Sequence, residues 1–307
     1  MTATYEEQFG PVQRRMRRIT RWLRWHRKGW LGQERHLLVE LNWRLGDEIM
    51  ALPVLDALHQ KYPDASINVL TNYPDLFLDH PHVRAVTAPP AAVDRYVLLR
   101  GASRRMYRLA EYCARVRISL PSMRPVLRCS DWDLPPHLRV PEGDGPIVAF
   151  APGASWKSKR WLSERWEALA DILSGHGCRL LVLGQAGEGL SCGTDLTGQT
   201  NVLEAACVLH GADLLVCCDS GLMHLSLASG TPVVALFGPT DPEILIRGDD
   251  RFIALCSTKS CRSYWNHAET VGEPGVCPDG HECCLDTIAV EQVADAVLAR
   301  LGVGDAR

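Results

Sequence analysis

Apolar residues along this chain alternate between short continuous runs and helical repeats, and the alternation begins at His36. The run 36–41 is nearly all apolar, as expected of a strand buried in a parallel sheet. A helical repeat follows, and Pro53 inside it predicts a helix that starts late or is kinked. Further strands are predicted at 66–70, 83–86 and 96–99, with a helix over 106–116. This order is typical of a parallel α/β domain.

The alternation restarts at Pro146, after a proline-rich stretch over 121–146 that has the composition of a linker. The second series predicts strands at 146–151, 179–184 and 214–217, helices that begin at Ser163 and after Asn201, and a last helix over 290–301. We therefore expect two α/β domains, 36–140 and 141–307, whose sheets face each other across a ligand-binding cleft. The pattern leaves open whether the last helix packs back on the first domain.

Composition narrows the class of protein. Hydrophobic residues make up 46% and charged residues 22% of the 307, which is typical of a globular chain. The net charge of -3 argues against nucleic acid as a partner. No apolar run approaches the roughly 18 residues of a membrane span and no signal peptide precedes the first strand, so we expect a cytoplasmic protein. Its 12 cysteines are then expected to be mostly reduced thiols.

Residues 1–35 are predicted to contain a basic amphipathic helix, which is best defined over 12–31. One face carries Val12, Met16, Ile19 and Leu23, and arginines cover most of the remainder. Such a helix could bind peripherally to anionic headgroups on the inner face of the cytoplasmic membrane. It could equally pack on its own domain or on a second subunit, because amphipathicity alone does not separate these alternatives.

The segment 218–224 joins a predicted strand to a short helix and is the leading candidate for ligand binding. Asp219 or Ser220 suits the N-cap, and Gly221 lets a ligand approach the backbone closely. Free N–H groups at the helix start would suit a phosphate or diphosphate. His224 lies one turn after Ser220 on the same helix face. An ordinary capped helix fits this segment equally well.

A second turn with the residue types of an anion site follows the strand 146–151. Backbone N–H groups and the Ser155 hydroxyl could hold phosphate oxygens, and Lys159 could stabilise the charge of a leaving diphosphate. Glu188 follows the next strand and could bind ribose hydroxyls. The glycines around Glu188 do not follow the order G-x-G-x-x-G, so a dehydrogenase is not expected.

Three further features have more than one interpretation. Asp47 could act as a general base, although an Asp that follows Gly is more often a helix N-cap. Asp131 and Asp133 match a metal-binding D-x-D, but their proline-rich surroundings favour a linker. A late cluster has loose zinc-like spacing, for which unligated thiols are the favoured interpretation. Its members are Cys256, Cys261, Cys277, Cys283 and Cys284, with His267 and His281.

Taken in order, these segments resemble glycosyltransferase family 9, the ADP-heptose:lipopolysaccharide heptosyltransferases. The resemblance runs from about Leu37 to the last helix. It rests on Leu45-Gly46-Asp47 with Pro53, Pro152-Gly153 with 159–161, the D-L-T-G-x-T segment 195–200, 219–224, 230–232 and 237–242. One departure is Asn42-Trp43-Arg44, which stands where the family usually has a small hydroxyl residue.

The resemblance implies a GT-B fold, in which two Rossmann-like domains bind the acceptor and the nucleotide sugar respectively. It implies an inverting transfer of heptose from ADP-heptose to a saccharide or lipid-linked acceptor, with neither metal nor cofactor. Asp47 would be the base. The residues that would hold the donor are Ser155, Lys159, Glu188, Asp219, Ser220, Gly221 and His224. Alternatives are another nucleotide sugar, a soluble acceptor, a GT-B epimerase, or a nucleotide-sugar-binding protein without catalysis.

Overall fold

A computed structural model describes residues 35–41, 43–78, 80–86, 89–90, 93–99, 103–119, 124–127, 134–139, 143–267, 276–277, 279–280 and 283–303. The predicted amphipathic helix over 12–31 lies outside these residues, as do Asp131 and Asp133. Across the described ranges, no helix combines the length and apolar character that crossing a membrane requires.

The chain divides into two compact units. The first contains the described residues up to Ser103, together with Arg108–Pro125. The second contains Arg104–Tyr107 and the described residues from Val126 onward. The division in the chain therefore falls at Pro125–Val126, ahead of the expected division at residue 140.

The first unit is built on a four-stranded parallel sheet with the order β3-β2-β1-β4. Its strands are β1 (His36–Glu40), β2 (Ser66–Leu70), β3 (Val83–Val86) and β4 (Arg95–Leu98). In register, Leu37 of β1 is paired with Ile67 of β2 and with Arg95 of β4. The predicted strands are thus confirmed. Among its described residues, the unit also has two helices, α1 (Leu45–Lys61) and α2 (Arg108–Val116).

Helix α1 begins at Leu45, ahead of Pro53, and continues to Lys61, so the late start is wrong and the kink stays a prediction. Proline has no N–H to offer to the carbonyl of Ile49, so the helix loses one internal hydrogen bond there. The helix is held by burial instead. Pro53 is itself buried, and the apolar residues Ile49, Leu52, Leu55 and Leu58 are almost fully removed from solvent. Tertiary packing of this kind supplies most helical stability in proteins.

The second unit contains a six-stranded parallel sheet with the order β10-β9-β8-β5-β6-β7. Its strands are β5 (Ile147–Ala151), β6 (Arg179–Val182), β7 (Thr194–Asp195), β8 (Leu214–Cys218), β9 (Val233–Phe237) and β10 (Phe252–Cys256). The strand order reverses at β5, which lies between β6 and β8. Ligands of open parallel sheets bind beyond the carboxyl ends of the strands at such a reversal.

Five helices belong to this unit: α3 (Ser163–Gly175), α4 (Val202–His210), α5 (Gly221–Ser229), α6 (Tyr264–His267) and α7 (Val290–Leu301). The predicted start of α4 is confirmed by a capping box, in which Asn201 and Glu204 bond to each other's backbone N–H. Val293 and Val297 of α7 are buried in one core with Trp166 and Phe150. The last helix is therefore part of the core of the second unit.

Candidate functional site

The segment after β8 brings a helix start to the carboxyl edge of the second sheet. Ser220 is the N-cap of α5, but its side chain makes no capping hydrogen bond. Its buried Oγ has no hydrogen-bond partner among the described residues. The first N–H groups of a helix have no acceptor within it. The predicted helix start is confirmed with Ser220 as the cap, and its hydroxyl and first-turn N–H groups suit an anion.

Three neighbouring strands contribute to one buried polar array at this edge. Lys159 follows β5, Asp219 follows β8 and Thr240 follows β9. The Lys159 ammonium lies 2.5 Å from Oδ2 of Asp219, and the Thr240 hydroxyl donates to the same oxygen at 2.6 Å. The ion-paired side chains are only 9% and 7% exposed. The structure therefore joins two residues that the sequence had placed in separate turns.

Asp219 is ionised in this array. Burial raises the pKa of its carboxyl, but the charge and hydrogen bond of Lys159, the hydrogen bond of Thr240 and the charge of His224 outweigh burial. The resulting pKa lies below the ordinary value for an aspartate. The positive charge of Lys159 is thus partly balanced before any ligand binds.

An aromatic side chain also fixes Lys159. The residue lies in a short 3-10 turn, Lys157–Lys159, which follows the loop after β5. Its ammonium is 4.4 Å from the centre of the Trp156 ring, a favourable cation–π distance. Trp156 in turn packs edge-on against Trp265, with ring centres 5.0 Å apart. The sequence predicted Lys159 as a site residue but offered no signal for this aromatic support.

The Trp265 ring is flanked by Arg104, a residue that sequence analysis had passed over. The guanidinium lies 5.5 Å from the ring centre, and Nη1 donates to the backbone oxygen of Trp265 at 3.2 Å. Asn266 binds the backbone oxygen of Arg104 through Nδ2 and accepts from the Asp241 N–H through Oδ1. These bonds explain why residues 104–107 belong to the second compact unit.

Glu188 lies over the loop that follows β5. Its Oε2 accepts from the Gln185 N–H at 2.9 Å, and its Oε1 is 3.7 Å from the Arg160 guanidinium. A Cβ added to Gly153 would overlap this carboxylate. Glycine at position 153 therefore makes room for Glu188, and the two predicted turns after β5 and β6 are in direct contact.

Three other residues that were predicted to bind the donor lie at the same edge. Ser155 is exposed in the loop after β5. His224 is 6% exposed in α5 and close enough to Asp219 to lower the pKa of that carboxyl. Gly221 is the first residue of α5. The structure thus brings Lys159, Asp219 and His224 together, and it places Ser155 and Glu188 on adjoining loops.

In the first unit, Asp47 is the third residue of α1 and follows the carboxyl end of β1. The expectation that it is the N-cap is wrong, since Arg44 occupies that position without a side-chain capping bond. Oδ1 of Asp47 accepts from the Tyr112 hydroxyl at 3.3 Å and lies 3.3 Å from Nε of Arg108. Its side chain is 13% exposed. Two residues of α2 therefore hold this carboxylate in place.

Three of the five clustered cysteines are buried together next to the loop that follows β5. Cys261, Cys277 and Cys284 are buried together, and the Sγ atoms of Cys261 and Cys277 are 3.7 Å apart. Burial, with the neighbouring thiols, raises the pKa of Cys261 to about 11 and that of Cys284 to about 12, so both are protonated. The Cys284 N–H donates to the carbonyl of Ser158 at 3.4 Å, next to Lys159. This cluster therefore supports the loop that carries Lys159.

The described residues contain no group of three or more His, Cys, Asp or Glu side chains placed to hold a metal ion. His281 and the side chain of His267 lie outside the description.

Two parallel α/β units, with an anion-suited helix start in the second, constitute the GT-B fold that the sequence predicted, and solved glycosyltransferases share it. The iron-containing dodecameric glycosyltransferase TibC of enterotoxigenic E. coli superposes with a TM-score of 0.75 at 16% identity, over 88% of this chain and 76% of TibC. E. coli ADP-heptose lps heptosyltransferase II superposes with a TM-score of 0.66 at 19% identity, over 87% and 98%.

Curated relatives match in sequence as well. Lipooligosaccharide heptosyltransferase 2 of Haemophilus influenzae is 34% identical over 117 residues, which are 33% of this chain and 34% of the relative. Lipopolysaccharide heptosyltransferase 2 of Salmonella typhimurium is 28% identical over 172 residues, or 50% and 47%. The matches thus span between about a third and a half of the length of these relatives.

The family profile described as glycosyltransferase family 9 (heptosyltransferase) matches residues 71–270, about two thirds of the chain. The chain belongs to glycosyltransferase family 9.

Proposed function

We propose that this protein transfers a heptose from ADP-heptose to a saccharide acceptor of the lipopolysaccharide-core type, with inversion and with neither metal nor cofactor. The observation that carries the proposal is the array of Lys159, Asp219 and Thr240 next to the N-terminus of α5. It lies at the strand-order reversal of the second sheet, where nucleotide phosphates bind in folds of this class.

The donor's diphosphate would bind at this array. A lysine ammonium has three N–H donors, and Asp219 takes one of them. The others, the Ser220 hydroxyl and the first N–H groups of α5 would hold phosphate oxygens, with His224 and Ser155 adding polar contacts. Glu188 would accept hydrogen bonds from the ribose hydroxyls. Donors fixed in advance by the fold stabilise a leaving group by about 3 kcal/mol each.

Asp47 would act as the general base. It would take the proton from the acceptor hydroxyl while that oxygen attacks the anomeric carbon of the heptose. The bond from the anomeric carbon to the diphosphate would break on the opposite face, so ADP leaves with the electron pair and the configuration inverts. Arg108 and Tyr112 support this role, because both contact Oδ1 of Asp47 and hold the carboxylate in place.

Donor binding can be tested by calorimetry with ADP-heptose, ADP-glucose, UDP-glucose and GDP-mannose. We expect ADP-heptose to bind at least about tenfold more tightly than the uridine and guanine donors, equivalent to about 1.4 kcal/mol. Preference for UDP or GDP donors would overturn the heptose assignment. Binding without transfer to any heptose-free lipopolysaccharide would favour a soluble acceptor or a non-catalytic binding protein, and release of epimerised nucleotide sugar would indicate an epimerase.

Metal independence needs its own measurement. Lys159 and the start of α5 supply the positive potential that a divalent ion would otherwise provide. Transfer should therefore continue unchanged in excess EDTA. Loss of transfer in EDTA, restored by added Mg²⁺ or Mn²⁺, would contradict this part of the proposal.

We also propose a cytoplasmic protein that contacts the inner face of the membrane through residues 12–31. The support is the basic amphipathic pattern of that segment alone. Full-length protein should sediment with anionic vesicles more than with neutral ones, and a variant that lacks residues 1–34 should lose the difference. Equal sedimentation of both proteins would exclude the membrane role.

A further inference from the structure

Glu48, the neighbour of Asp47 in α1, is fully buried and is not used by the proposed reaction. Its Oε2 accepts from the Thr71 hydroxyl. Its Oε1 accepts from the backbone N–H groups of Trp43 and Asn72, each at 3.3 Å. One carboxylate therefore receives hydrogen bonds from two separate loops of the first unit.

Both loops emerge from the carboxyl edge of the first sheet. Trp43 follows β1, and Thr71 and Asn72 follow β2, which pairs with β1. A further bond joins the loops directly, because Nδ2 of Asn72 donates to the Trp43 carbonyl at 3.2 Å. The Tyr73 N–H donates to the Thr71 hydroxyl oxygen at 2.8 Å. Glu48 thus lies at the centre of a network that joins the β1 loop to the β2 loop.

The backbone of Trp43 is held at both its N–H and its carbonyl, yet the residue is 37% exposed, which is unusual for a large aromatic side chain. It stands four residues before Asp47 in the chain, on the loop that leads into α1. A tryptophan whose backbone is held by hydrogen bonds and whose side chain is exposed at the edge of this unit has the large apolar face that suits contact with a sugar ring.

The ionised form of Glu48 suits this network best. Both oxygens are used as acceptors, and a proton on either would replace an accepted bond. Its charged or titratable neighbours are Asp47, Tyr73 and, beside Tyr73, Arg44. Burial raises the pKa of Glu48 to about 7, despite the three hydrogen bonds. A carboxylate buried at this cost, with only neutral donors, is typical of functional sites.

We propose that Glu48 is a positioning residue for the acceptor: its carboxylate fixes the Trp43 loop against the Thr71–Asn72 loop, so that Trp43 binds a saccharide ring next to the base. This inference rests on the proposed function, since it assumes that the first unit binds a saccharide acceptor near Asp47.

The test compares E48A and E48Q with the parent protein, with heptose-free lipopolysaccharide as acceptor and ADP-heptose as donor. Gln can accept from the two N–H groups but, like the protonated carboxyl, presents a donor instead of an acceptor to Thr71, so it should keep part of the network, whereas Ala keeps none of these bonds. We expect E48A to raise the acceptor KM about tenfold or more while the affinity for ADP stays within about twofold. E48Q should raise the KM less, to about the value that the parent shows at pH 6.

The pH profile separates positioning from a general effect on folding. In the parent, the acceptor KM should rise as the pH falls from 8 to 6, because protonated Glu48 loses an accepted bond. In E48Q the KM should change several-fold less over this range. Hydrogen exchange at the Trp43 and Asn72 amides should accelerate in E48A and stay slow in E48Q.

An acceptor KM within twofold of the parent in E48A, or the same pH profile in E48Q as in the parent, would overturn the role of Glu48. Loss of ADP affinity in E48A to the same degree as acceptor affinity would also overturn it, because the effect would then be a general loss of folding. If the parent protein transfers no heptose, the proposed function fails and this inference fails with it. An active parent with an unchanged acceptor KM in E48A would count against the role of Glu48 alone.

Discussion

Two buried carboxylates, Glu48 and Asp219, are stabilised by different kinds of partner. In the part of the chain that the structure describes, Glu48 receives hydrogen bonds only from neutral donors. Asp219 is paired with the Lys159 ammonium and bonded to Thr240. Burial raises the pKa of Glu48 to about 7, while the charge of Lys159 and the hydrogen bonds more than offset burial at Asp219. The two carboxylates should therefore have opposite effects on the free energy of unfolding as the pH rises.

The free energy of unfolding should fall as the pH rises past the unfolded pKa of Glu48. The folded pKa of about 7 exceeds the ordinary value of 4.5, so the native state binds more protons between these two values. Its stabilising contribution is complete below pH 4.5 and lost above pH 7. At about 1.4 kcal/mol per pKa unit, the loss is about 3 kcal/mol.

The variant E48Q does not titrate at this position. Its stability relative to the parent should therefore increase by about 3 kcal/mol between pH 4 and pH 8, measured by urea unfolding. The exposed Glu164 provides a control, since E164Q should track the parent at both pH values. A constant difference between E48Q and the parent would show that Glu48 does not titrate in this range.

Removal of the charge of Asp219 should destabilise the protein, because it leaves the Lys159 ammonium buried without its partner. Breaking a buried ion pair from one side typically costs about 3–5 kcal/mol. We expect D219N to lower the free energy of unfolding by an amount of this order and to weaken ADP binding. D171N, at an exposed position on α3, should be neutral. Equal stability of D219N and D171N would exclude a structural role for the pair.

Sequence patterns found several of these residues but not their partners. Lys159, Asp219, Ser220 and His224 stand out because they follow strands or begin a helix. The Lys159–Asp219 bond joins positions 60 apart in sequence and depends on the order of β5 and β8 in the sheet. Glu48 gave no signal at all, since a glutamate in the first turn of a helix is ordinarily a solvated residue that interacts with the helix dipole.

At the scale of elements, the loops after β5 and β6 pack against each other because position 153 has no side chain. Gly153 leaves the space that the Glu188 carboxylate occupies. Glu188 in turn binds the Gln185 backbone and lies near Arg160. The glycine is therefore required by close approach of a neighbouring loop, and the two loops act as one structural unit.

This contact predicts a non-additive pair of substitutions. G153A should destabilise the protein by about 1–3 kcal/mol, because the new methyl group displaces Glu188. In G153A/E188A the space is restored, so much of that loss should be recovered in thermal or urea unfolding. G175A is the matched control, since a Cβ there meets no atom within 4 Å. Strict additivity of G153A and E188A would contradict the contact.

Long and regular patterns predicted most elements, including β1, β2, α3 and α7. Thr194–Asp195 escaped notice because a two-residue strand has no periodicity to detect. Phe252–Cys256 escaped because its residues are only partly buried at the edge of the sheet. The late start predicted for α1 is wrong, because burial of the surrounding helix outweighs the loss of one backbone hydrogen bond at Pro53.

At the scale of the molecule, repetition of the α/β pattern predicted two units, and the structure shows one parallel sheet in each. The sequence could not predict that residues 104–107 belong to the second unit, because their place depends on contacts between Arg104 and the distant Trp265 and Asn266. In each unit a candidate functional residue follows the first strand: Asp47 follows β1, and Lys159 follows β5. The expected cleft stays a prediction.

The most direct test of the account is heptosyl transfer from ADP-heptose to heptose-free lipopolysaccharide by the parent protein and D47N. Asparagine can still accept from Tyr112 but cannot take a proton, so transfer should fall by about 10²- to 10⁴-fold. Affinity for ADP-heptose should stay within about twofold, and D64N, at an exposed position in the same unit, should match the parent. Transfer by D47N at the parent rate would contradict the central claim.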